Sequence, residues 1–263
     1  MRSTYLERMA SSLGDKSRIL EYASGRILDV GAGGGELTEA LGAEALESDP
    51  EYAAALEARG ITTTLGEASD IANLYGAETL DTVVFCSVLH EVWSSGGADA
   101  WANAIIGAHR VLKPGGRLII RDGVMPERPD RRATLEMLDG NNDAVRRYLA
   151  LQDDHAIRLL HITGNQWTGS LHSVAEFAFT YTWGDDEERY DREARERYQL
   201  FTAERYPEVV EARGFERVFV DSYRQPGYRH HLERKVQMRS DDGVMWPDTN
   251  MLMVFTKTAY SEA

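Results

Sequence analysis

Arg26-Ile-Leu-Asp-Val-Gly-Ala-Gly-Gly-Gly-Glu36 decides the fold. A short apolar run enters a turn with Gly31, Gly33 and Gly35, and a helical pattern starts directly behind it. The arrangement predicts a buried strand, Ile27–Val30, feeding a backbone-lined cradle. Glycine suits that turn because it accepts positive φ and lets a ligand approach the main chain. The N–H groups at the start of the following helix add donors facing the turn. A dinucleotide fingerprint G-x-G-x-x-G needs a glycine at position 36, where this chain has Glu36. The spacing is instead Asp29-x-Gly31-x-Gly33-x-Gly35.

Strand and helix patterns alternate on both sides of this turn. Residues 1–24 read as helical, with Tyr5, Leu6, Met9 and Leu13 on one face. Ala43–Leu46 reads as a second strand ending in Glu47-Ser-Asp-Pro50. Asp49 suits an N-cap and Pro50 the first helical position. A helix over Glu51–Arg59 stops at Gly60, and Ile61–Leu65 forms a third strand ending at Glu67-Ala68. The continuously apolar stretch after Asp81 is a fourth, central parallel strand. Trp101, Ala104, Ile105, Ala108, Val111 and Leu112 recur at helical spacing until Lys113-Pro-Gly-Gly116 ends the pattern, and Arg117–Arg121 is the fifth strand. The alternation predicts a doubly wound, mostly parallel α/β sheet with its ligand site at the carboxyl ends of the strands.

Regularity stops after residue 122. Residues 123–200 read as an inserted, helix-rich cap, and the core resumes over 201–263 with a helix at Thr202–Arg213 and strands at Phe215–Tyr223 and Met251–Lys257. Residues 224–249 form an extended hairpin arm of that core. In the cap, Ser173-x-x-Glu176 fits a capping box, whereas the alternation of Phe177, Phe179, Tyr181 and Trp183 fits a strand; both readings stay open. A helix over Glu187–Phe201 is expected to turn Tyr190, Ala194, Tyr198 and Phe201 inward and to expose the pairs Glu188/Arg192 and Glu193/Arg197.

Several separated motifs together resemble class I S-adenosylmethionine-dependent methyltransferases. They are the glycine turn, Leu80-Asp-Thr-Val-Val-Phe-Cys-Ser87 and Arg110-Val-Leu-Lys-Pro-Gly-Gly-Arg-Leu-Ile-Ile120, and the resemblance covers about residues 20–122. It implies a seven-stranded sheet with the last strand antiparallel, S-adenosylmethionine as cofactor, and a cap that selects the acceptor. By the same resemblance Asp29, Gly31, Gly33, Gly35 and Ser87 line the cofactor. Glu47 grips the ribose hydroxyls, with Asp49 as a second candidate. Glu67 and Ala68 meet the adenine edge, although the family more often has Asp at the first of these positions.

Methyl transfer needs the acceptor's proton removed or shared. His90 follows the fourth strand and is the candidate base, because imidazole titrates near neutral pH. Glu91 orients it or binds a cationic acceptor. Trp93, Arg121 and Trp167 are candidate substrate contacts; Arg121 and Asp122 both end the fifth strand facing the site, where each serves as a salt bridge or loop anchor or touches the substrate. No metal is expected: His155 and His161 are six residues apart, so they fall on different sides of a helix, and His230 and His231 point apart.

Composition narrows the partners. The formal net charge of −14 disfavours phosphate backbones and anionic lipid. No run approaches the ~18 apolar residues of a membrane span, and the first residues show no signal-peptide core. One cysteine, Cys86, permits no intrachain disulfide and points to a reducing, cytoplasmic setting. The expected function is methylation of an oxygen or nitrogen of a small molecule, plausibly a specialised metabolite. Alternatives are a peptide, protein or RNA acceptor, a non-catalytic nucleotide-binding partner, and an NAD-dependent oxidoreductase. The arm 224–249 either covers its own active site or reaches a second copy of the chain; a homodimer is the favoured reading.

Overall fold

The computed structural model describes residues 13–152, 156–184 and 187–258. Tyr5, Leu6, Met9 and His155 lie outside these residues. Short helical turns over Leu13–Lys16 and Ser17–Glu21 come first, and the main elements after them are β1 (Ile27–Val30), α1 (Glu36–Leu41), β2 (Glu44–Glu47), α2 (Pro50–Ala58), β3 (Thr63–Leu65), β4 (Leu80–Cys86), α3 (Leu89–Val111) and β5 (Leu112–Gly123). There follow β6 (Arg132–Met137), α4 (Asn142–Leu151), β7 (Leu159–Thr163), β8 (Gln166–Ser170), α5 (Leu171–Tyr181) and α6 (Glu187–Glu193). The last are α7 (Arg205–Glu211), β9 (Phe215–Tyr223), α8 (Tyr228–Leu232), β10 (Val236–Ser240), β11 (Gly243–Val244) and β12 (Asn250–Lys257). Among the described residues no helix is long and apolar enough to cross a membrane.

The chain divides into two compact units. The first comprises residues 1–122, 207–221 and 252–263. Its sheet has seven strands in the order β3-β2-β1-β4-β5-β12-β9, six of them parallel and one paired antiparallel. This is the doubly wound arrangement expected from the alternation. β4 sits near its middle, and Val83, Val84 and Phe85 are wholly buried, as a strand covered on both faces requires. In α3 the buried positions Trp101, Ala104, Ile105, Ala108 and Val111 form one apolar stripe. The helix begins earlier than the periodicity indicates, at Leu89, and is kinked at Gly97, whose φ of 71° is non-helical. Leu112, read as the end of that stripe, already belongs to β5.

The second unit comprises residues 123–206 and 222–251. It is not purely helical: five strands form an antiparallel sheet in the order β11-β10-β6-β8-β7. The arm 224–249 supplies β10 and β11, and β10 pairs with β6, Met238 opposite Leu135. α5 settles the ambiguity around residues 171–183 in favour of a helix. Every residue from Leu171 to Tyr181 is buried, so no polar face marks the helical period. Its cap is Ser170, whose Oγ accepts from Ser173 N at 3.0 Å, and Glu176 is no capping-box residue. The Glu176 carboxylate instead accepts the backbone N–H groups of Tyr198 and Gln199, at 2.5 and 3.1 Å. The expected helix through Phe201 stops at Glu193. Glu193 is also buried rather than on a solvated face, where it accepts from the Tyr198 hydroxyl and from Arg192.

Candidate active site

The parallel strands β1, β2, β3 and β4 end side by side, and their carboxyl ends gather most of the expected cofactor residues. The strand order reverses beside β1, which makes this the crevice where open α/β sheets bind ligands. In the turn after β1, Gly31, Gly33 and Gly35 have φ of 70°, 53° and 81°. Two of these glycines answer to packing. A Cβ on Gly31 would lie 2.3 Å from Val88 Cγ2, and one on Gly35 would lie 2.3 Å from Leu56 Cδ2. Gly33 differs, since a Cβ there meets nothing within 4 Å. Its backbone therefore borders open space.

Glu47 closes β2 and folds its carboxylate under that turn. Oε2 accepts the Gly33 N–H at 2.8 Å, and Oε1 accepts those of Ser48 and Asp49 at 2.9 and 3.0 Å. A carboxylate offers about four lone pairs, and among the described residues these three N–H groups take three of them. Asp49 has a different task. Its Oδ1 accepts from Glu51 N and Tyr52 N, capping α2 beside Pro50. Glu67 is exposed at the end of β3 and Ala68 behind it is buried.

Asp29 lies beneath the turn. It is almost fully buried and accepts from Thr38 Oγ1 at 2.7 Å, tying β1 to α1. Burial pushes its pKa up to about 6; the Thr38 bond and the Lys16 ammonium hold it down, and the Glu47 charge adds to the rise. The folded value stands above the ordinary 3.8, so the native state binds the extra proton between those values. Stability from this group is complete below pH ~4 and is lost as pH rises through 6, on the order of 3 kcal/mol. Urea unfolding of wild type and Asp29→Asn from pH 4 to 7 checks this: the variant gains on the wild type as pH rises. A constant difference contradicts it.

A second cluster stands at the ends of β4 and β5, where Cys86 pairs with Arg121. Ser87 is a non-glycine residue at φ 58°, a conformation that costs on the order of 1–3 kcal/mol and persists only when its surroundings impose it. Arg121 imposes it. The Arg121 carbonyl accepts the Ser87 N–H at 2.7 Å, and its guanidinium donates to Ser87 Oγ at 2.6 Å and pairs with Asp15. That ion pair and its burial give Arg121 a structural role in this unit.

His90, in the first turn of α3, is also buried. Its Nδ1 stands 2.6 Å from Asp122 Oδ1, and its backbone N–H donates to Asp122 Oδ2 at 3.1 Å. The sequence reading has Asp122 facing the site from the end of the fifth strand, but does not link it to His90. It is 32 positions from His90, and only the β4–β5 pairing brings the two together. Glu91 is exposed, and Trp93 is half-buried, edge-on to Trp101 at 6.3 Å. Trp167 belongs to the second unit, on β8. It is buried there with Nε1 donating to Asn142 Oδ1 at 2.7 Å and its ring edge-on to His161 at 4.8 Å.

Residues 28–120 match the family described as "Methyltransferase domain". Over these residues the chain is similar to class I S-adenosylmethionine-dependent methyltransferases. Solved structures agree with this at the level of fold. A complex between the Haloferax volcanii Trm112 methyltransferase activator and a methyltransferase matches over 99% of this chain and 97% of that one, at 11% identity and a TM-score of 0.54. An S-adenosylmethionine-dependent methyltransferase from Archaeoglobus fulgidus matches over 93% and 92%, at 11% identity and a TM-score of 0.54. One from Thermotoga maritima matches over 90% and 83%, at 16% identity and a TM-score of 0.50. No curated protein matches the chain.

The cofactor of the methyltransferase domain is S-adenosylmethionine. The residues present fit it: Gly33 leaves open space against bare backbone, and Glu47 presents a buried carboxylate oxygen beside that space.

Proposed function

We propose that this protein transfers a methyl group from S-adenosylmethionine to an oxygen or nitrogen of a small molecule, a specialised metabolite. The observation that carries the choice of atom is the buried His90 ring bonded to Asp122 at 2.6 Å. A base is useful where the acceptor carries a proton to be removed, as hydroxyl and amine groups do. The formal net charge of −14 weighs against RNA as acceptor.

In this reading Gly31, Gly33, Gly35 and Glu47 hold the cofactor's amino-acid and ribose portions, Glu67 and Ala68 its adenine edge, and Ser87 flanks the reacting end. Asp29 and Asp49 act one step back, through Thr38 and the cap of α2. When bound, the cofactor supplies a methyl group made electrophilic by a sulfonium. His90 takes the acceptor's proton, and Glu91 and Trp93 border the acceptor. Much of the barrier reduction comes from holding donor and acceptor aligned.

The test offers methyl-labelled S-adenosylmethionine to the full chain with three acceptor pools: phenols and amines of low mass, a protein extract, and RNA. Label in the first pool is the expected result. Label confined to protein or RNA overturns the small-molecule assignment.

A further inference from the structure

Both carboxylate oxygens of Asp122 meet His90. Oδ1 lies 2.6 Å from His90 Nδ1 and Oδ2 accepts the His90 backbone N–H at 3.1 Å. The side chains are only 6% and 3% exposed. Two contacts to the same residue fix both the position of the ring and its rotation about the side-chain bonds. They also bear on the proton. An ionised carboxylate is an acceptor at every lone pair, so the nitrogen facing it must carry hydrogen. In the neutral ring the second nitrogen, Nε2, then holds the lone pair.

We infer that Asp122 is a positioning residue for methyl transfer, which holds His90 in the Nδ1–H tautomer so that Nε2 is the atom that accepts the acceptor's proton. This rests on the reading of His90 as the base. Asp122 orients the ring and stabilises the imidazolium that forms when Nε2 takes the proton. The same segment is held from its other end. Arg121, the preceding residue, fixes Ser87 through its carbonyl and guanidinium. Consecutive residues of β5 therefore anchor the start and the end of the turn Ser87–His90 that leads from β4 into α3.

The geometry makes a sharp statement about Asp122→Asn. Asparagine has one acceptor oxygen where aspartate has two. The His90 backbone N–H has only a hydrogen to offer, so it claims that oxygen. The amide NH₂ then faces Nδ1 and donates to it. The ring's proton must move to Nε2, and the base atom is lost although size and packing hardly change.

The experiment uses the full chain with ¹⁵N-labelled histidine, at a pH where the imidazoles are neutral. His90→Gln assigns the His90 signals by their disappearance. Wild type is expected to show His90 protonated at Nδ1 and bare at Nε2, and Asp122→Asn the reverse. With an acceptor from the labelling assay, Asp122→Asn is expected to lower kcat by about 10²–10⁴-fold, the usual worth of a general base, with a far smaller change in KM for S-adenosylmethionine. A purely structural Asp122 would lower stability and leave the tautomer alone. A wild-type His90 protonated at Nε2 overturns the inference even if the variant fails to fold. So does an unchanged tautomer in a folded variant. Failure of wild type to bind S-adenosylmethionine overturns the methyltransferase reading instead, and leaves the tautomer result standing.

Discussion

Replacing His90 by glutamine is expected to reduce turnover by about 10²–10⁴-fold, the contribution a positioned general base makes. Glutamine is chosen because its amide still offers a donor to Asp122. Alanine would leave that carboxylate buried without its 2.6 Å partner, at a cost of several kcal/mol that confuses chemistry with folding. The loss belongs in kcat at saturating cofactor, since the cradle at β1 and β2 contains neither His90 nor Asp122. Steady-state rates with the acceptor found by labelling decide the matter. Turnover within a factor of about three of wild type (some 0.6 kcal/mol of transition-state free energy) removes His90 from the mechanism.

The second large effect concerns Gly33. Gly33→Val places a branched side chain where the wild-type chain has open space, so the fold meets no clash there. The φ of 53° still disfavours the side chain. A ligand lying against that backbone meets the full penalty of overpacking, about 1–3 kcal/mol, which is roughly 10- to 100-fold in affinity. Gly31→Val makes the contrast, because its Cβ would stand 2.3 Å from Val88 Cγ2. Thermal melts and cofactor titrations of the two variants separate the roles: Gly33→Val loses affinity more than stability, and Gly31→Val loses stability first. Unchanged affinity in Gly33→Val contradicts a ligand at this turn.

The legibility of the fold followed from how each segment is buried. β1 and β9 lie where the sequence places them, over Ile27–Val30 and Phe215–Tyr223, because turn residues frame them on both sides. α5 resisted because its whole circumference is buried, which erases the polar half of the helical period. α3 was read short at its start because Gly96 and Gly97 interrupt the pattern while the backbone bends and continues. In the second sheet β6 and β10 pair across about a hundred residues, which no local spacing signals, whereas the β7–β8 hairpin around Gly164-Asn165 is local and was overlooked.

The site divides in the same way. The glycine turn and Glu47 are readable from sequence because their chemistry is local to strand ends. Asp49 and Arg121 carry charge at suggestive positions, yet their bonds cap α2 and hold Ser87. Asp122 sits next to Arg121, so its place at the end of β5 was visible. Its link to His90 depends on the parallel registration of β4 and β5, with Phe85 opposite Ile120 and Cys86 opposite Arg121.

Calorimetric titration of the wild-type chain tests the central assignment most directly: the turn at Gly31–Gly35 and the carboxylate of Glu47 hold S-adenosylmethionine. Saturable heat with S-adenosylmethionine and with S-adenosylhomocysteine, and none with a nicotinamide dinucleotide, is the predicted result. Heat with the nicotinamide dinucleotide alone contradicts it.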